Sequence, residues 1–333
     1  LLWRAGLRDT PRFVEVFRVP VRRLHLPGAG WSDRLGFIPW LGTARDYHAV
    51  ASTGDTMCAI GGRDNSNDNY FASVECLSQG AAAWVEVASL NTARYDHGAA
   101  AVAMPDGRAM VIGGTHDPGE GDIYAEETLA SVEVLAAAGS GWSALAPMGT
   151  ARLMPAAVVL PCGKVLVAGG RTTAQPDSAL STAELWDPAT GAWSDLPPMA
   201  EERESAGCCV LPSGRAAVVG GYGSDFQLRR DGEAFDPVAR TWQPLPPMAH
   251  GRSHHGVVAV AGGLLAVGGA RKDDAGNLPP AELFDEASGR WFELPHPMAQ
   301  PRRSTCVVSL PASALAPPAP AAAAAAGAAA AGP

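Results

Sequence analysis

Five glycine pairs divide this chain at nearly equal steps. They are Gly61-Gly62, Gly113-Gly114, Gly169-Gly170, Gly220-Gly221 and Gly268-Gly269, spaced 52, 56, 51 and 48 residues apart. Each pair is followed, in a fixed order, by a glutamate, a tryptophan and an arginine. The tryptophans are Trp84, Trp142, Trp193, Trp242 and Trp291, with Trp31 ahead of them. The arginines are Arg45, Arg94, Arg152, Arg203, Arg252 and Arg302. Markers recurring together with a period near 50 residues mean that one supersecondary unit is repeated as a propeller or array. A single unit of this size cannot bury its own apolar faces, so neighbouring units must pack on one another.

The unit reads as four short strands. The first follows the arginine and is rich in small and β-branched residues, as in His97 to Val102. A tight turn such as Pro105-Asp106-Gly107, Pro161-Cys162-Gly163 or Pro212-Ser213-Gly214 supplies turn-forming residues. The second strand (Val165 to Ala168) runs into the glycine pair, the third holds the glutamate and the fourth the tryptophan. Glycine and proline are abundant, at 38 and 28 residues, as many turns between short strands require.

These residues resemble Kelch repeats. A strand ending in Gly-Gly, then Glu-x-aromatic-Asp (Glu184 to Asp187, Glu282 to Asp285), then a tryptophan, is that family's signature. The resemblance implies an all-β fold, a Kelch β-propeller of four-stranded antiparallel blades. The ends of the chain suggest a count of six. Leu1 to Gly6 matches the stretch ending in Gly268-Gly269, with Ala5-Gly6 in place of the pair; Val14 to Phe17 matches the glutamate strand, and Trp31 is the fourth-strand tryptophan. Arg302 begins a first strand, Thr305 to Leu310, that stops at Pro311. The expectation is a ring of six blades over residues 1–311, the last completed by both termini, which removes exposed sheet edges. Residues 312–333 are Ala/Pro-rich low complexity and read as a disordered tail.

Composition narrows function by exclusion. The net charge is -9, with no basic stripe and no aromatic-basic interleaving, so a nucleic-acid footprint is not expected. No strongly apolar run reaches 18 residues, so neither a transmembrane helix nor a membrane partner is expected. The chain opens Leu1-Leu2-Trp3-Arg4, without an initiator Met or a signal-peptide core, and reads as a fragment or excised domain. The six cysteines, Cys58, Cys76, Cys162, Cys208, Cys209 and Cys306, show no metal-ligand spacing. Most fall in strands and read as buried free thiols, which suggests a reducing compartment and a cytoplasmic location.

A residue present in every unit serves the unit. The glutamates Glu15, Glu75, Glu133, Glu184, Glu233 and Glu282 are expected to pair with the repeat arginine or with backbone N–H groups, and the tryptophans to wedge between blades. His48, His97 and His255 follow the arginine by three residues, but Pro155, Ala206 and Thr305 hold the equivalent places, so no metal and no cofactor is expected. Some members of the resembled family are enzymes, galactose-oxidase-like or sugar-acid epimerase-like. Yet no nucleophile elbow, Walker loop or HExxH motif is present, and no catalytic residue is nominated.

Strand direction places the loops between second and third strands on one face, with the connections between blades. These loops vary in length and content, as functional loops on a rigid scaffold do. The resulting partner-binding face carries Arg63, Asn65, Tyr95, His116, Arg171, Tyr222 and Arg271. The resemblance implies a protein-interaction module, such as the substrate-recognition part of a ubiquitin-ligase adaptor or a cytoskeletal scaffold. Arginines just after the glycine pairs suit carboxylates, so an acidic protein or peptide ligand is expected.

Overall fold

The computed structural model describes residues 16–18, 30–32 and, between 41 and 294, all but 46, 54, 65–68, 79–80, 96–100, 117–126, 137–139, 174–177 and 270–278. Among the described residues there is no helix, and five four-stranded antiparallel sheets follow one another. Blade one comprises Ala49–Thr53, Thr56–Ile60, Val74–Ser78 and Val85–Val87. Blade two comprises Ala101–Ala103, Ala109–Ile112, Val132–Leu135 and Trp142–Leu145. Blade three comprises Ala156–Val159, Val165–Ala168, Ala183–Asp187 and Ala192–Leu196. Blade four comprises Gly207–Val210, Ala216–Val219, Gly232–Asp236 and Thr241–Leu245. Blade five comprises Gly256–Val260, Gly263–Val267, Glu282–Asp285 and Arg290–Glu293. The first strand of each blade touches the first strand of the next, so these strands are innermost and the sheets form a β-propeller.

The blade count differs from the expected six, because five complete blades are described. In the segment assigned to the sixth, only one antiparallel pair is described, Val16–Arg18 with Gly30–Ser32, in register Phe17 opposite Trp31. The strands assigned to Leu1 to Gly6 and Thr305 to Leu310 lie outside the described residues, as do the closure through the termini and the tail.

The core is a series of apolar seams between blades. One seam gathers Leu166, Leu185, Met199, Val218 and Phe235 from blades three and four; another gathers Leu211, Met248, Leu264 and Phe284 from blades four and five. Small first-strand residues, Ala49, Ala156 and Gly207 among them, let the sheets converge towards the axis. A Cβ on Gly207 would lie 2.1 Å from a Val257 methyl and 2.9 Å from His255 Nε2.

The tryptophans straddle the seams. Trp84 and Trp142 are buried, whereas Trp193, Trp242 and Trp291 are only partly so. Indole N–H groups reach the main chain of the preceding blade: Trp142 to Ala88 O, Trp193 to Ala146 O, Trp242 to Pro197 O and Trp291 to Pro246 O, all at 2.8–2.9 Å. The inter-blade wedge is therefore polar at one end and apolar in its body.

One expectation is corrected. Cys58 and Cys76 are bonded as a disulfide across the second and third strands of blade one, with Cα atoms 4.1 Å apart. They stand directly opposite in the ladder, which brings the two sulfurs together. Cys162, Cys208 and Cys209 are free thiols, and Cys306 lies outside the described residues. The argument from cysteines to a reducing compartment falls with that bond.

Candidate partner-binding face

The face is built on a repeated frame of buried charge. The five described repeat arginines are buried; Arg94, Arg152 and Arg252 are 0% exposed. Burial pulls the Arg152 guanidinium below its ordinary value and Glu184 partly restores it. In blade three, Arg152 donates to Gly169 O at 2.8 Å, Thr182 O at 3.0 Å and Glu184 Oε1 at 3.0 Å. The same carboxylate accepts from the Gly149 and Thr150 amides at 2.7 and 3.1 Å. Glu75, Glu133, Glu233 and Glu282 likewise accept from two consecutive amides of the entering connection. The pairs Arg45–Glu75 (2.7 Å), Arg94–Glu133 (2.5 Å) and Arg252–Glu282 repeat the ion pair. In blade four Arg203 leans instead to Asp231 at 2.7 Å and stands 3.6 Å from Glu233. The repeated glutamates thus pair with the repeat arginines and with backbone N–H groups, as expected for residues that serve the blade.

The glycine pairs set the rim above this frame. All ten of their residues have positive φ; Gly169 and Gly170 stand at 67° and 85°. A Cβ on Gly169 would lie 2.2 Å from Arg203 O, and one on Gly170 2.7 Å from Leu153 O. The second glycine donates its amide to the arginine carbonyl of the next blade: Gly62 to Arg94, Gly114 to Arg152, Gly170 to Arg203 and Gly221 to Arg252, at 2.8–3.0 Å. Conformation and close approach together require glycine here.

Just past three of the pairs the chain bonds to the residue after the repeat arginine. Thr115 pairs with Tyr95, Arg171 with Leu153 and Tyr222 with Glu204, each through two reciprocal main-chain bonds of 2.8–3.0 Å. One position later comes a residue in the left-handed region. Tyr47, Met154, Ser205 and His254 have φ of 50–54°, although none is glycine or asparagine. Main-chain bonds between blades link the last three, with Ser205 N donating to Met154 O and His254 N to Ser205 O, both at 3.1 Å.

Side chains on this rim reach from one blade to the next. Arg63 of blade one lies over the rings of Tyr47 and Tyr95, its guanidinium carbon 5.2 and 5.1 Å from their centroids. Tyr70 packs against Tyr95, the ring centroids 4.6 Å apart and the planes tilted by 38°. Arg171 of blade three sits 3.1 Å from the Glu204 carboxylate of blade four; burial still holds the Glu204 carboxyl above its usual range. Tyr222 meets His254 of blade five edge-on at 6.3 Å. Ser205 Oγ lies 3.2 Å from His254 Nε2 and donates to Met154 Sδ at 2.9 Å. Burial, with Arg171 nearby, holds the His254 imidazole down to about 4.

Of the seven residues assigned to the face from sequence, the structure brings Arg63 and Tyr95 into one cluster and Arg171 and Tyr222 into a second. Tyr95 is buried beneath Arg63 rather than offered outward. His116 is partly exposed, on the short ribbon that pairs Thr115–His116 with Glu127–Thr128. Asn65 and Arg271 lie outside the described residues. Missed from sequence were Tyr47, Tyr70, Ser205 and His254. Phe226, 57% exposed with φ of 56°, was missed as well. Their place is readable only by counting two residues on from the repeat arginine or by knowing how the loop folds back. Among the described residues no cluster of three His, Cys, Asp or Glu could hold a metal.

Comparison with known proteins agrees with this architecture. Residues 44–91 and 152–200 each match the family description of the Kelch motif. An F-box/kelch-repeat protein of Arabidopsis thaliana is 37% identical over 138 residues, covering 40% of this chain and 31% of the relative. Kelch-like protein 34 of Homo sapiens is 30% identical over 185 residues, 55% of this chain and 27% of that protein. A second F-box/kelch-repeat protein of Arabidopsis thaliana, SKIP20, is 35% identical over 144 residues, 40% and 32% of the two chains. The matched part spans about a third or less of each relative's length.

Proposed function

We propose, taking as premise that the chain is a Kelch-repeat β-propeller, that it is a protein-interaction module. Its partner binds the face of the glycine-pair loops. The relatives carry kelch repeats beside an F-box or are named Kelch-like, and this supports a role as the substrate-recognition part of a ubiquitin-ligase adaptor. Catalysis is not part of the proposal, because the repeated Glu and Arg groups are committed to the frame.

The observation that carries the reading is the contrast between frame and rim. Arg152 and its described repeats are buried and each paired with a carboxylate, whereas Arg63 and Arg171 sit partly exposed above them on loops of different length. Arg63 is clamped between two tyrosine rings, a stacking that suits guanidinium and fixes its plane. A fixed guanidinium suits bidentate capture of a carboxylate, so the ligand we propose is an acidic peptide or loop. Arg171, already beside Glu204, contributes less.

The test is binding of fluorescein-labelled Asp/Glu-rich peptides to the full chain. Arg63→Glu is expected to weaken binding at least ~10-fold, the value of one charge-assisted pair, with Arg171→Glu weaker in effect. Lys164→Glu, altering a lysine paired with Asp187 at the first turn of blade three, is expected to bind as wild type. Folded Arg63→Glu and Arg171→Glu proteins that bind as tightly as this control would overturn the acidic-ligand reading.

A further inference from the structure

The disulfide of blade one lies at the root of the rim. Cys58 sits in Thr56–Ile60, which runs directly into Gly61-Gly62-Arg63, and Cys76 sits in Val74–Ser78, the strand that follows Tyr70. Only 2% and 9% exposed, the two cysteines share an apolar cluster with Ala51, Val111 and Trp142 that fills the seam between blades one and two. Across that same seam, at the rim, Arg63 of blade one lies on Tyr95 of blade two.

From this arrangement we infer that Cys58–Cys76 is a reversible thiol–disulfide site, and that its redox state sets how firmly the Arg63 loop is held against blade two. Two bonded sulfurs occupy less room than two thiols, which must separate to van der Waals contact, ~3.5–4 Å. A close-packed seam transmits such a change rather than absorbing it. Reduction needs a dithiol donor. One of its thiolates attacks the Cys76 sulfur, the more exposed of the two, and Cys58 leaves as a thiolate that takes up a proton. The donor's second thiolate then displaces Cys76, which is protonated in turn. The protein gains two electrons and two protons, and the donor becomes a disulfide. Whether the bond is open or closed at rest depends on its potential against that of the compartment. Internal reshuffling has no ready partner in blade four, where burial pushes the Cys209 thiol up to about 12 and keeps it un-ionised.

The experiment uses the full chain, air-oxidised or treated with dithiothreitol, then denatured and alkylated with iodoacetamide. Four of the six cysteines are expected to alkylate in the oxidised protein and all six after reduction, with Cys58 and Cys76 the two that change. Hydrogen exchange is expected to quicken ~10-fold or more on reduction at amides around Arg63 and Tyr95, and hardly at all in blade four. Oxidised glutathione should restore the slow exchange. A doubly substituted protein, Cys58→Ala with Cys76→Val, lacks the bond and is expected to exchange at one rate under either treatment. Alkylation of Cys58 and Cys76 without reductant would overturn the proposal. So would exchange rates at the blade-one loop that are the same in oxidised and reduced protein.

Discussion

Replacing Glu184 by alanine is the sharpest probe of the frame. The substitution leaves Arg152 without its paired carboxylate, its side chain 0% exposed beside a carboxylate that was 3% exposed at 3.0 Å. Removing one partner of a buried ion pair costs about 3–5 kcal/mol, because the other charge stays desolvated. The amides of Gly149 and Thr150 also lose their acceptor, but both residues are at least partly exposed. Water can replace that bond, so they add ~1 kcal/mol at most. The expected loss is therefore about 3–5 kcal/mol in urea unfolding, followed by tryptophan fluorescence and far-ultraviolet circular dichroism, whose transitions must coincide for the figure to hold. Combining Glu184→Leu with Arg152→Met removes both charges, and the double variant is expected to be about 2–3 kcal/mol more stable than the sum of its single variants. Arg108→Met, which breaks an exposed pair with Asp106, is the control and should lose ~1 kcal/mol or less. A loss below ~1.5 kcal/mol for Glu184→Ala, or simple additivity in the double variant, would refute the buried-charge argument.

Two further outcomes follow from the geometry. Gly169→Ala meets both a positive φ and Arg203 O, whereas Gly191→Ala meets a positive φ and open space; losses of about 2–4 and ~1 kcal/mol are expected in the same unfolding assay, and equal losses would remove the close-approach argument. Burial lowers both His254 and His255, so between about pH 6.5 and 4 the unfolded chain binds protons that the folded one refuses, and stability must fall as pH falls. The melting temperature should drop steadily from pH 7 to pH 5, less steeply in His254→Asn, and an unchanged slope in that variant would exclude His254 from the effect.

Much of the propeller was legible because the repeat forces the same solution again and again. The glycine pairs, the Glu-Arg frame and the inter-blade tryptophans each solve a problem every blade shares, so each shows as a period. The rim was legible only in part. Arg63 and Arg171 could be placed by their position after the glycines, but not their neighbours, because those come from the next blade. The left-handed residues carry no compositional sign: Met154, Ser205 and His254 are linked by bonds between blades, not held by their own preference. The Cys58–Cys76 bond was hidden for a related reason. Two cysteines 18 residues apart meet only if the intervening loop sets that register and no other, and loop length does not announce it. Deep burial of Tyr95 was missed because its cover, Arg63, comes from a neighbouring blade.

The way the tryptophans bond has a consequence for how such a chain can change over generations. An indole N–H that seeks a main-chain carbonyl is indifferent to the side chain attached to it; here it finds Ala88, Ala146, Pro197 and Pro246 equally well. The glycine amide that finds the arginine carbonyl on the following blade is just as undemanding. A unit copied from one position to another would therefore arrive with both of its couplings already compatible, much as identical couplers let railway cars be reordered. Duplication, loss or transplantation of whole blades then becomes a mild event for the scaffold, while the loops at the rim, riding along as cargo, are free to diverge.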